Sequence, residues 1–196
     1  MAKSVLKYMI KGIDLICENL DERIYNLAEA TDDPQFFKEE GDFSTGNYAY
    51  LKFTPNNSNN KISQYFNEES IYANSSLDDF NSIFYKSVTG HDIDIATLPE
   101  DIDERSIFKH FRTGSKREIN SGSSFKRYHD TEFKLLEYLA KKIETQIRRN
   151  GFEGEILGDI ELYTLRIPCL SCDYVLIQFH EMYPKISVKV SYTKEN

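Results

Sequence analysis

Cysteine is scarce in this sequence. There are three, Cys17, Cys169 and Cys172, too few for a disulfide framework. Long apolar runs are absent: no stretch approaches the roughly 20 residues that span a bilayer, so no membrane partner is expected. The start, Met1 to Gly12, has basic residues but no long apolar block and no small-residue cleavage site. No secretory signal peptide is therefore expected. The expected location is the cytoplasm, or outside the cell by a non-classical export route. Positive charge is also in deficit, with 24 Lys and Arg against 32 Asp and Glu, net −8. Such a protein is a poor non-specific polyanion binder as a whole.

The rest of the composition is ordinary. Apolar residues make up 40% and charged residues 29% of 196 positions, which excludes a wholly disordered or collagen-like chain. At roughly 150 residues per domain, one domain with an extension is expected. The charge is uneven. Residues 1–104 carry 8 basic and 20 acidic side chains, residues 105–149 carry 12 and 5, and residues 150–196 carry 4 and 7. The middle block is either a local basic face for phosphates or a solvated surface with counter-ions on the acidic flank.

Hydrophobic spacing divides the chain. Leu6, Met9, Ile10, Ile13, Ile16, Leu20, Ile24 and Leu27 recur at helical steps, so residues 4–29 read as an amphipathic helix. Its acidic polar face argues against a membrane-surface role. Asn47 to Thr54 reads as a strand, Pro55 to Asn60 as a turn, and a second strand falls within Lys61 to Ser75, pairing as a hairpin. A short helix is expected near Leu77 to Tyr85, and Gly114 to Ser124 reads as a loop rich in Ser and Gly. Thr131 to Arg149 is a strong helix, with Asp130 or Thr131 as its cap and Gly151 after its end. Asp159 to Leu165 alternates as a strand, Cys169 to Tyr183 reads as a helix behind Pro168, and Ile186, Val188, Val190 and Tyr192 alternate in a last strand. This order predicts an α/β fold with a mixed sheet and helices packed on it.

Two helix starts carry the chemistry: HDTE (His129 to Glu132) and PCLSC (Pro168 to Cys172). Zinc takes thiolate, imidazole or carboxylate ligands at about 2.0–2.3 Å, and a catalytic zinc keeps one position open. Cys169 and Cys172 on one helical turn supply half a site, and Asp130 or His129 the third ligand. Glu132 is close enough in sequence to reach a bound water without binding the metal. Other readings exist: a Cys-x-x-Cys redox pair, a structural zinc completed by other histidines, or Asp130 and Glu132 as mere first-turn acids.

A ligand-x-Glu on one helix and Pro-Cys-x-x-Cys on the next, with a strand between, resembles the zinc-dependent nucleobase deaminases. The stretches DTEFKLLEYLA (Asp130 to Ala140), IELYTLRIPCLSCDYVLIQF (Ile160 to Phe179) and YPKISVKV (Tyr183 to Val190) are similar to deaminase domains of bacterial polymorphic toxins. GNYAYLKF (Gly46 to Phe53) and IYANSSL (Ile71 to Leu77) resemble that group's first two strands. The resemblance implies a three-layer α/β/α cytidine deaminase-like sandwich with a mixed sheet of about five strands. The deaminase-like catalytic domain would cover residues 40–196, with residues 1–39 a helical segment packed on it. Aspartate often replaces the usual histidine in that group, which implies Asp130, Cys169 and Cys172 as zinc ligands, His129 as the alternative to Asp130, and Glu132 as proton shuttle. Two departures fall where the substrate pocket would be. Leu165, Arg166 and Ile167 precede Pro168 in place of Glu-Arg-Pro, and Ala73, Asn74 and Ser75 stand in place of Ala-His-Ser.

Arg166 has two readings, a phosphate contact or a solvent-facing side chain. Asn74 hydrogen-bonds a base or sugar, or holds a turn. Tyr163 and Tyr174 stack on a base or belong to the core. The resemblance implies hydrolytic deamination, with cytosine in single-stranded DNA as first substrate and RNA or free nucleosides and nucleotides next. It also implies an antibacterial toxin with an immunity protein as partner. A catalytically inactive, zinc-containing binding module is the non-enzymatic alternative.

Overall fold

The computed structural model describes residues 47–56, 69–75, 94–98, 102–114, 119–151 and 155–194. The helices expected over residues 4–29 and near Leu77 to Tyr85 lie outside the described residues.

Period-two alternation builds the central strand, β1 (Tyr48–Pro55). Ala49, Leu51 and Phe53 are fully buried on one face, while Thr54 between Phe53 and Pro55 is exposed. β1 pairs antiparallel with β2 (Glu69–Asn74) from Tyr48↔Asn74 to Phe53↔Glu69, as the expected hairpin. On its other side β1 pairs antiparallel with β6 (Gly158–Arg166). Two outer pairings are parallel: β3 (Asp94–Ile95) on β2, and β7 (Ile186–Lys194) on β6. Among the described residues the sheet has five strands, in the order β3-β2-β1-β6-β7.

Between these strands come α1 (Ile102–Arg105), the two-residue strands β4 (Arg112–Thr113) and β5 (Phe125–Lys126), α2 (Thr131–Asn150) and α3 (Leu170–Met182). β4 and β5 form a separate antiparallel ribbon. The loop expected over Gly114 to Ser124 is the connection inside that ribbon; two-residue strands are too short to leave a period in the sequence. α3 is the crossover that parallel β6 and β7 require.

α2 places Phe133, Leu136, Ala140 and Ile143 on one buried face, as its spacing predicts. It ends at Gly151, whose left-handed backbone (φ 57°) directs its N–H to the Ile147 carbonyl. α3 buries Cys172, Val175 and Phe179. Val175 and Phe179 join the buried face of α2 and Leu51, Ile71 and Leu162 in one core cluster. Each fully buried Leu or Phe contributes about 1.5–3 kcal/mol, so this core fixes both helices on one face of the sheet. Gly158 opens β6 at a close approach: a Cβ there would lie 2.6 Å from Phe53 Cε2 and 2.8 Å from the Thr54 carbonyl oxygen.

The mixed five-stranded sheet and its two long helices form the expected α/β deaminase-like sandwich. Among the described residues, no helix is long and apolar enough to cross a membrane.

Candidate active site

The two helix starts meet. Asp130 is the residue at the N-cap of α2 and Cys169 that of α3, both with extended backbone, and neither side chain makes a cap hydrogen bond. Their side chains turn toward each other instead. Cys169 Sγ lies 3.1 Å from Asp130 Oδ2 and 3.3 Å from Cys172 Sγ, and Cys172 Sγ lies 3.2 Å from Asp130 Oδ2. The helix-cap reading of Asp130 therefore describes its position but not its carboxylate. Arg127 Nη1 approaches the other carboxylate oxygen, Oδ1, at 3.6 Å.

Glu132 stands one step inside, 2% exposed, with Oε2 3.6 Å from Cys172 Sγ. Both of its oxygens are held. The Thr164 hydroxyl donates to Oε1 at 2.7 Å, and the Thr131 hydroxyl donates to Oε2 at 3.2 Å. Each hydroxyl has one proton, so any further hydrogen bond it makes is one it accepts. Asn47 Nδ2 supplies both, donating to Thr131 Oγ1 and to Thr164 Oγ1 at 3.0 Å each. The start of β1, the start of α2 and the end of β6 are thereby tied to one carboxylate.

Burial and then the neighbouring charge of Asp130 raise the Glu132 carboxyl above its ordinary range, against the lowering effect of the Thr164 hydrogen bond. The Cys172 thiol is pushed well up, first by its hydrogen bond with Cys169, then by burial, then by the charges of Glu132 and Asp130. Two thiols and two carboxylates packed this closely repel when ionised, and a cation among them relieves that repulsion. Asp130, Cys169 and Cys172 present ligand atoms within 4.8 Å of one another, and a mixed thiolate–carboxylate set of this kind can hold a metal ion.

The other expected residues fall as follows. The His129 ring packs at a tilt of 45° against Tyr128, with centroids 4.2 Å apart, and is outside the Asp130–Cys169–Cys172 group. Asn74 ends β2, 2% exposed, and its carbonyl accepts from Lys134 Nζ at 3.0 Å. Arg166 is exposed at the end of β6. Tyr163 is buried, with its hydroxyl donating to Glu161, whereas Tyr174 is exposed and packs on Phe111 at 5.7 Å.

Sequence reasoning offers Thr131 only as a helix cap and does not single out Asn47, Thr164 or Lys134. One signal was present. Thr164 continues the inward face of Ile160 and Leu162, where a hydroxyl needs a buried partner. Reasoning from sequence also passed over a clamp on the segment before the ribbon. Glu137, 1% exposed, accepts from the Ile107 and Phe108 N–H groups at 2.8 and 3.1 Å. Gln178 exchanges hydrogen bonds with both backbone groups of Lys109, and Ser171 Oγ accepts from the Phe111 N–H. Residues 107–111 are thus pinned across α2 and α3, and β4 leaves from there.

No curated protein and no solved structure matches the chain. A family model does: the toxin-deaminase model, described as the BURPS668_1122 family of deaminases, matches residues 34–194. That span takes in the paired helix starts, the sheet that carries them and the buried glutamate between them, and the chain belongs to this family of toxin deaminases.

Proposed function

We propose that this deaminase is zinc-dependent and removes the exocyclic amine of cytosine in single-stranded DNA, as a toxin effector acting in a target-cell cytoplasm. The observation that carries the reading is the convergence of Asp130, Cys169 and Cys172 on one point beside the buried, doubly held Glu132. Asp130, Cys169 and Cys172 would hold the zinc, and His129, packed against the Tyr128 ring, is the less favoured ligand. When bound there, zinc supplies Lewis acidity that makes water a nucleophile near neutral pH.

Glu132 moves the protons. It takes one from the attacking water and delivers it to the ring nitrogen next to the reacting carbon. It then carries the second from the new hydroxyl to the departing amine. A carbon–oxygen bond forms, the carbon–nitrogen bond breaks, and the products are the keto base and ammonia. A raised carboxyl pKa suits a group that must both accept and return a proton. Asn74, buried at the end of β2, is assigned to the substrate pocket, and Arg166, exposed just before Pro168, to a substrate phosphate. An immunity protein is the expected protein partner, because a toxin of this chemistry endangers the cell that makes it.

A second reading is favoured by the net charge of −8: an acidic protein is better suited to free nucleosides or nucleotides than to a polyanion. A mixed pool of single-stranded DNA, duplex DNA and RNA, treated with wild type and Glu132→Ala and then sequenced, separates these readings. C-to-T changes in single-stranded DNA with wild type alone support the proposal. Changes confined to RNA reassign the polymer. Clean polymers with turnover of free nucleosides favour the second reading, and a zinc-loaded protein inert on all of them is a binding module.

A further inference from the structure

The acidic chain carries one strongly basic island. Between Arg105 and His129 lie seven basic residues and one acid, in a chain whose other positions carry 17 basic against 31 acidic. That stretch leads into and forms the β4–β5 ribbon. Phe125 is 51% exposed on the ribbon, and the Arg127 guanidinium lies over its ring at 3.9 Å. On the opposite side of the strand, Lys126 Nζ lies 5.8 Å from the Tyr128 ring centroid, and Tyr128 packs at a tilt against His129 with centroids 4.2 Å apart. Two ring–cation pairs, Phe125 with Arg127 and Lys126 with Tyr128, thus lie between the ribbon and the residue before Asp130. Arg127 fastens the ribbon to the site: its Nε donates to the Thr113 carbonyl at 3.0 Å while Nη1 faces Asp130.

We infer that the β4–β5 ribbon is the surface on which a single-stranded polynucleotide lies as it enters the site, with a base stacked on Phe125 and phosphates beside Lys126 and Arg112. The inference rests on the deaminase reading, since it supplies the polymer for that same site. The physical argument is a conjunction. An exposed phenyl ring costs solvation and finds no use in the core. The mostly buried Arg127 guanidinium backs the half-exposed Phe125 ring and fixes it, and the exposed part of the ring is a surface on which any base can stack. Local positive charge in an otherwise acidic chain draws a polyanion to this one place. The clamp by Glu137, Gln178 and Ser171 keeps the ribbon's root rigid against both site-bearing helices, so a strand on the ribbon is delivered in a fixed register. The chain's overall acidity then disfavours binding of the polymer elsewhere.

The test measures binding apart from turnover. Fluorescent oligothymidylate and oligouridylate of about 15 nucleotides have no exocyclic amine to lose, and their length covers a single-strand site of ordinary size. Full-length wild type, the double variant Phe125→Ala/Lys126→Glu and the control Lys189→Glu are titrated by anisotropy. Lys189 is exposed on β7 and makes the same charge change away from the ribbon. The inference expects wild type and control to bind at least one oligonucleotide alike and the double variant to bind it about tenfold or more weakly. Equal binding by all three proteins, or binding by none, overturns it, the latter leaving the island as a face for an acidic protein. Deamination of a cytosine-containing polymer by wild type, read alongside, judges the enzymatic reading separately. Binding through the ribbon without turnover sinks only that reading, and turnover with ribbon-independent binding sinks only the inference.

Discussion

Glu132 and Thr164 sit 32 residues apart on different elements, yet the threonine hydroxyl donates to the carboxylate at 2.7 Å in a buried contact. The strand that separates the two motifs thus does more than connect them. It reaches back with its last inward side chain and fixes the carboxylate that is proposed to move protons.

Removing that hydroxyl separates holding the carboxylate from forming the site. Thr164→Val keeps the branched shape but loses the donor to Glu132 and the acceptor for Asn47. A hydrogen bond to a charged group contributes about 1.5–3 kcal/mol, so kcat is expected to fall ten- to about a hundredfold. KM and bound zinc stay near wild type, and Thr164→Ser restores most of the rate. Steady-state kinetics with metal analysis checks this; a loss of zinc in step with activity contradicts it.

The proposed metal trio and the proposed proton shuttle are expected to respond differently to deletion. Glu132→Ala is expected to lower turnover by about a hundredfold to ten-thousandfold, the range of a general acid–base group, with zinc retained. Cys169→Ala is expected to lose zinc, activity and thermal stability together, because a metal bound only in the folded state adds to folding free energy. A chelator should lower the Tm of wild type and leave that of Cys169→Ala unchanged, which calorimetry shows directly.

These roles differ in how far the sequence discloses them. The spacing of Phe133, Leu136, Ala140 and Ile143 displays the buried face of α2, and Pro168 with Cys169 and Cys172 marks the start of α3. The strands β1, β6 and β7 alternate plainly. The network around Glu132 does not show, because Asn47 meets partners 84 and 117 residues away, and no local period encodes a contact of that range. β3 and the ribbon are two-residue strands held by the segments around them, below any window in which alternation can be counted. Acidic composition also averaged out the basic island, which emerges only when the chain is divided.

Glu137 is a structural counterpart to Glu132, a buried acid on the same helix that serves two backbone amides. Glu137→Ala leaves the Ile107 and Phe108 N–H groups without this acceptor. It is expected to lower stability by about 1–3 kcal/mol, while Glu137→Gln, which keeps one carbonyl oxygen, loses less. Urea unfolding midpoints at unchanged slope give the comparison.

Gly158→Ala tests the packing of β6 on β1. The added methyl has no room beside Phe53 and the Thr54 carbonyl. An overpacking cost of about 1–3 kcal/mol is expected, seen as a lower Tm with zinc content per folded protein unchanged.

The central claim is that a metal centre of Asp130, Cys169 and Cys172, served by Glu132, releases an amine from a nucleobase. Ammonia release answers it most directly, with zinc-loaded wild type and zinc-loaded Glu132→Ala each given DNA, RNA and free nucleosides. The account predicts ammonia matching the base converted for wild type and background for the variant. Equal release by both proteins, or none by wild type with its zinc in place, would contradict it.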